Sequence, residues 1–255
     1  PAKETLYIPE MHPFNWRGWW NFGTGALGDM GCHLIDIPFK ALGLKYPTDV
    51  ECSIGTVFTK MWSADYYPEG CPPSSSVSLH FDATEKNNGP IQMTWSDGGI
   101  RPFHPDLLPA DVSIEDNGVI MIGDKGVITC DAYGNDPKLY RKGEPVVMGE
   151  KVKVLEPEFG HQRQWVDACK AGFNSAEHKS LTSSFDYSGP LTETVLMGNI
   201  AIRSYMLTEE GATGRRANYI GRKKLLWDGE NMKIKNLNAA NQFVGRTYRK
   251  GWELT

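Results

Sequence analysis

The sequence predicts an α+β fold in which helices cover one face of an antiparallel-rich sheet. Two observations carry that expectation. A glycine-rich helical stretch near the N-terminus gives way, from Val50 to about Arg141, to residues that alternate apolar and polar with period two. Helical periodicity then returns over 158–171 and again over 190–207.

The elements follow in order. Residues 5–22 carry Tyr7, Phe14, Trp16, Trp19, Trp20 and Phe22, while Pro9 and Pro13 prevent a regular helix. The unit 23–44 reads as a helix from Thr24, its N-cap, to Gly43, with a kink near Pro38. Strict alternation in Val77–Asp82 and Ile91–Ser96 makes strands with one face on a core. Gly118–Ile122 and Val127–Cys130, joined by Gly123-Asp124-Lys125-Gly126, read as a hairpin. In the 158–171 helix, Gln162, Trp165, Val166 and Cys169 share a stripe. The 190–207 helix has Pro190 and Glu193 in its first turn, where proline is tolerated and a carboxylate suits the helix dipole. Short strands near 217–220, 223–227 and 232–236 and a helical turn at Ala239 complete the pattern. No repeat or low-complexity linker interrupts it. Residues 1–255 therefore read as one domain: an aromatic leading segment 1–22, a helix unit 23–44, and a sheet with packed helices over 49–255.

The bulk numbers narrow the function classes. With 255 residues, 40% of them hydrophobic and 23% charged, the chain has ordinary globular composition. A net charge of −4, with Arg222-Lys223-Lys224 as the longest basic cluster, argues against a nucleic-acid partner. No apolar run approaches the roughly 20 residues that cross a bilayer, so no membrane span is expected. The opening Pro-Ala-Lys-Glu has no leader pattern, and localisation stays open. The five cysteines are scattered without a Cys-x-x-Cys pair, so no metal site is expected. They read as mostly reduced and buried, with one or two disulfides left open. There is no Gly-x-Gly-x-x-Gly after a strand and no Walker loop, hence no nucleotide site of the usual kind.

The chemistry concentrates in Gly23–Asp36. Asp29 and His33, four residues apart, share one face of a helix, and Gly25, Gly28 and Gly31 strip side chains from around them. An acid beside a base suits proton transfer at a bound substrate. The alternative is that the glycines serve close packing and the pair is a local hydrogen bond. In Asn15–Trp20, tryptophan faces can stack on a sugar while Asn15 and Arg17 bind hydroxyls or a cofactor phosphate; equally, the tryptophans can anchor an irregular segment. His104, in the proline-rich loop Ile100–Pro105, can line a cleft. His80 reads as solvent-facing, and Cys32 as a small packing residue rather than a nucleophile.

Gly25-Ala26-Leu27-Gly28-Asp29-Met30-Gly31-Cys32-His33-Leu34-Ile35-Asp36 resembles the G-x-L-x-D-x-G-x-H-x-x-D signature of the Gfo/Idh/MocA oxidoreductases, named for glucose–fructose oxidoreductase and inositol dehydrogenase. The segments His12–Trp20, Gln164–Lys170, Leu191–Asn199 and Tyr248–Trp252 resemble a bacterial branch of that family, so the likeness runs nearly the whole length. It implies a partner Rossmann domain holding NAD or NADP. The present chain then corresponds to the second domain, with a large, open, mostly antiparallel sheet like the C-terminal domain of glyceraldehyde-3-phosphate dehydrogenase and a homo-oligomer interface through that sheet. It also implies a sugar or polyol substrate, His33 as general acid/base and Asp29 as its neighbour, binding substrate or holding the imidazole. Asn15, Arg17, Trp19, Asp36 and His104 become substrate-side candidates, with Asp36 also readable as structural. Gly28 and Gly31 become the surface for the nicotinamide ring. The family's catalytic lysine, in a Glu-Lys-Pro motif of the Rossmann domain, has no counterpart here, so the chain alone is expected to be inactive. Two other readings remain: a glycoside-processing enzyme using NAD for transient oxidation, and a non-enzymatic sugar-binding or assembly module. Retention of Asp29 and His33 counts against the second.

Overall fold

The computed structural model describes residues 6–11, 13–149, 160–209 and 217–253. Two helices come first, α1 (Gly25–Leu34) and α2 (Asp36–Ala41). Strands β1 (Asp49–Ile54), β2 (Ser75–Phe81) and β3 (Ile91–Ser96) follow. Then come β4 (Gly118–Ile122), β5 (Val127–Asp131), β6 (Lys138–Tyr140) and β7 (Val147–Met148). Helices α3 (Gly160–Ala171), α4 (Ala176–Lys179) and α5 (Phe185–Ser204) precede β8 (Leu225–Asp228) and β9 (Lys233–Ile234). A 3-10 helix spans Asn238–Phe243.

The fold is mixed helix and sheet, and its strands form two antiparallel sheets, in the orders β3-β2-β1-β8-β9 and β4-β5-β6-β7. The sequence pattern ran continuously from Val50 to Arg141 and suggested one sheet. The division falls at residues 97–117, where Pro102, Pro105 and Pro109 interrupt extended pairing. The alternation in β2 is realised residue by residue: Ser75, Val77, Leu79 and Phe81 are buried, and Ser76, Ser78 and His80 lie on the other face. The expected hairpin forms as β4 and β5, Ile122 opposite Val127.

Helix α5 is the centre of the core. It packs on α1, β1, β2 and the 3-10 helix, placing Leu191, Val195, Met197 and Ile200 among Leu27, Val50, Val77, Leu79 and Leu225. Its N-terminus differs from expectation. Ser184 supplies the extended N-cap backbone, so the helix starts at Phe185 and Pro190 lies inside it. Pro190 removes one backbone bond to residue 186. Glu193 is consequently beyond the first turn, and its carboxylate accepts the indole N–H of Trp227 at 2.6 Å.

Four other expectations need correction. The first helix breaks at Ile35 into α1 and α2, since Pro38 cannot donate to the carbonyl of Leu34. Of the proposed helix 158–171, residues 158 and 159 lie outside the described set; in the remainder only Ala168 is buried and Trp165 is 63% exposed, so the supposed stripe does not face a core. The 217–220 strand is a single bridge, Thr208 to Tyr219. All five cysteines are free, and Cys32 and Cys169 are exposed rather than buried.

On the polar face of the first sheet, His80 Nδ1 lies 2.6 Å from Asp49 Oδ1, and Lys224 Nζ lies 3.3 Å from the same oxygen. Burial alone would raise the Asp49 carboxyl. The hydrogen bonds from His80, Thr48 and Lys224, with the charge of His80, outweigh it and bring the group below its ordinary value.

Two outcomes follow from this packing. Leu27→Ala, at a site 1% exposed, lowers stability by about 2–5 kcal/mol in urea unfolding; a smaller loss would mean that α5 closes over the gap. The Asp49 pair contributes stability that is present above the unfolded carboxyl value of about 3.9 and is lost as pH falls through the lower folded one. Asp49→Asn therefore flattens the acid limb of stability against pH, and an unchanged limb would contradict the pairing.

Candidate active site

Helix α1 presents two faces because of its glycines. Gly25 has φ +66°, a conformation glycine tolerates, and a Cβ there would lie 2.8 Å from Cys71 Sγ. Gly31 is buried against α5, its missing Cβ 3.2 Å from Val195 Cγ2. With Leu27 they form the inward stripe. Asp29, Cys32 and His33 stand on the outward side, Cys32 and His33 exposed and Asp29 half-buried.

Asp29 and His33 share this face, yet among the described residues no hydrogen bond joins them. Asp29 instead accepts from the Arg17 guanidinium. Arg17 sits in a 3-10 turn (Trp16–Gly18) with its guanidinium 3.8 Å over the Phe14 ring. The turn folds back through Gly18 N–H to Asn15 O, Trp19 N–H to Trp16 O and Gly23 N–H to Trp19 O, at 2.9, 3.1 and 2.9 Å. Gly23 permits the closure, since a Cβ there would lie 2.6 Å from Arg17 O. The pair is one-third exposed (33% and 35%), so its effect is placement more than stability.

The imidazole of His33 makes no hydrogen bond among the described residues. Its ring meets Tyr133 edge-on, centroids 5.5 Å apart and planes at 74°. Tyr133 belongs to the turn after β5, fixed by Asp131, whose Oδ1 accepts from the N–H groups of Tyr133 and Asn135 at 2.8 and 2.7 Å. Asp36 accepts from the Tyr187 hydroxyl on α5. Burial, followed by the Asp36 carboxylate, pushes that phenol well above its usual value, so Tyr187 is a fixed donor. Partial burial first, with the Asp29 and Asp36 charges adding to it, raises the Cys32 thiol, so this exposed sulfur is a poor nucleophile at neutral pH.

The other candidates are placed as follows. Asn15 donates to Glu10 O at 3.3 Å, one residue outside the turn that carries Arg17. Trp19 bridges Gly70 and anchors the segment to the loop before β2. His104 is engaged in its own loop, Nδ1 3.2 Å from Pro105 O and Nε2 3.1 Å from Val112 O. His12 lies outside the described residues. The two glycines assigned to a nicotinamide surface do not supply one. The Cβ position of Gly28 is filled by the Thr24 side chain, and Gly31 faces α5. Gly31 serves packing between α1 and α5, and Gly28 makes room for the Thr24 N-cap of its own helix.

Arg17, Asp29, His33 and Tyr133 thus meet on one accessible surface, with Asp36 anchored a turn beyond. A neutralised carboxylate with a spare oxygen beside a free imidazole can bind a hydroxyl and accept its proton. Tyr133, Tyr187 and the stacking of Phe14 on Arg17 were not legible in the sequence. Asp131-Ala132-Tyr133-Gly134 signals a turn, but nothing local says which helix that turn meets. Among the described residues no group of three or more His, Cys, Asp or Glu is arranged to hold a metal, and no helix is long and apolar enough to cross a membrane.

Gly23→Ala tests how Arg17 reaches the site. The added methyl displaces the 15–19 turn, costs about 1–3 kcal/mol and frees the Arg17 guanidinium, read as loss of its protected Nη–H signal by NMR; a retained signal would show that Gly23 does not set the turn. Neither a family model nor a curated protein sequence matches this chain.

Proposed function

We propose that the chain is the substrate domain of an NAD(P)-dependent oxidoreductase of the Gfo/Idh/MocA type, acting on a hydroxyl of a sugar, polyol or glycoside. The observation that supports it most is the exposed, unpaired imidazole of His33 one turn from Asp29, inside a segment that resembles the family signature. The finer fold assignment, a domain like the second one of glyceraldehyde-3-phosphate dehydrogenase, and a homo-oligomer through the open sheet face belong to the same proposal.

The division of labour is as follows. His33 takes the proton of the reacting hydroxyl, histidine being suited to accept one near neutral pH. Asp29, oriented by Arg17, accepts a hydrogen bond from the same or a neighbouring hydroxyl. Tyr133 walls the imidazole on one side and limits its ring orientations. Asp36, engaged by Tyr187, holds α2 against α5 and is a positioning residue. NAD or NADP, bound by the Rossmann domain of the whole protein, supplies the hydride acceptor. Gly28 and Gly31 do not fit a nicotinamide contact and have no part in this reading.

Two measurements test it. Calorimetric titration of NAD and NADP into this 255-residue chain gives no binding; a tight complex would overturn the division between domains. In the protein carrying both domains, His33→Ala lowers kcat for NAD(P) reduction across a sugar and polyol panel by about 10²–10⁴-fold, and unchanged turnover would remove His33 from the mechanism.

A further inference from the structure

A cleft among the described residues lies away from His33. It opens between the loop 54–73 and the C-terminal end of α5, has a volume of about 70 Å³, and is lined by Trp20, Asp65, Tyr66, Cys71, Arg203 and Phe243 among others. Cys71 lies against Gly25, at the opposite end of α1 from His33, about 12 Å along the helix axis. Space of this size holds about five waters or a small polar molecule.

Two charged side chains line this cleft and leave bonding capacity unused. Arg203 is held over the rings of Trp20 and Phe243, 5.4 and 4.4 Å from their centroids. Among the described residues its guanidinium makes no hydrogen bond and no ion pair. Burial opposes its charge, and the nearby Arg246 opposes it further. Asp65 is fixed by Thr59 Oγ1, 2.9 Å from Oδ1, and by its own N–H to Val57 O at 2.7 Å. Its Oδ2 is buried without a partner. The rings hold Arg203 and the loop holds Asp65, so the two line one cleft without meeting. A buried carboxylate oxygen and a half-buried guanidinium, each left unpaired, cost free energy that a bridging molecule recovers.

We infer that this cleft is a binding site for a small hydroxycarboxylate, whose carboxylate is received by Arg203 and whose hydroxyl donates to Asp65 Oδ2. The charge count selects the class. Arg203 is the cation in the lining, Arg246 lying outside it and donating to Trp20 O, and Asp65 in the same wall disfavours a dianion such as phosphate. Asp65 also needs a donor, which acetate lacks. The guanidinium fork suits a planar carboxylate, and the aromatic walls suit the C–H surface between the two polar ends. The site is independent of the oxidoreductase reading, because none of its residues lies in the Asp29–His33 surface.

NMR titration of the 255-residue protein with glycerate, acetate, glycerol and inorganic phosphate tests it. Glycerate gives saturable shifts at Trp20 and Phe243, acetate and phosphate bind more weakly, and glycerol does not bind. Arg203→Met and Asp65→Asn each weaken glycerate at least about tenfold, with folding checked by thermal unfolding. Where Arg203→Met fails to fold, Arg203→Lys keeps the charge and removes the fork, with a similar loss. No saturable glycerate binding at millimolar concentration overturns the proposal, as do equal affinities for glycerate and acetate, tighter phosphate binding, or full affinity in folded Arg203 and Asp65 variants.

Discussion

The contact between α1 and α5 is the constraint from which the rest of the candidate site follows. It is a reciprocal fit: Leu27 of α1 lies over Gly198 of α5, and Val195 of α5 lies over Gly31 of α1. Each glycine accepts the other helix's branched side chain, so the two backbones approach closely with little void. Once α1 is fixed in rotation by this fit, Asp29 and His33 must point outward, since they lie on the side opposite the buried stripe. The turn bearing Arg17 then docks on α1 rather than creating the site. The same α5 receives β1 and β2 on another side, so the sheet and α1 share one support.

Much of this was legible where the signal is local. The strands β2 and β3 and the β4–β5 hairpin are written in alternation and turn residues, and their register follows from burial of one face. The outward placement of Asp29 and His33 was legible from their spacing. What the chain did not disclose is long-range. Nothing near Leu225 says that β8 pairs with β1, and the split into two sheets depends on where a loop turns, not on the alternation itself. Pro190 misled because proline favours first turns. The Ser184 cap lay upstream of it, and the misplaced start hid Tyr187. The glycines were legible as a sign of close approach, but not of what approaches: the partner is Val195, not a ligand ring.

Arg17 has a different place in the folded chain from the one its residue type suggests. Its residue type suggested hydroxyl or phosphate binding, whereas in the folded chain its guanidinium is already committed to Asp29 and stacked on Phe14. The pairing holds a carboxylate at a fixed angle beside the imidazole and still leaves one oxygen for a ligand. Such support by a neighbour is what keeps an exposed site in one geometry.

The edge-on contact between Tyr133 and His33 joins the four-stranded sheet to the first helix, beside the packing of α2 on β4. Linkage makes that junction reciprocal. A ligand that favours one imidazole orientation also favours the β5–β6 turn that packs against it, and by the same free energy any ordering of the turn tightens that ligand. The small sheet is thus a thermodynamic partner of the imidazole. Its hairpin stability is a second handle, distant in sequence, on what happens at Asp29 and His33.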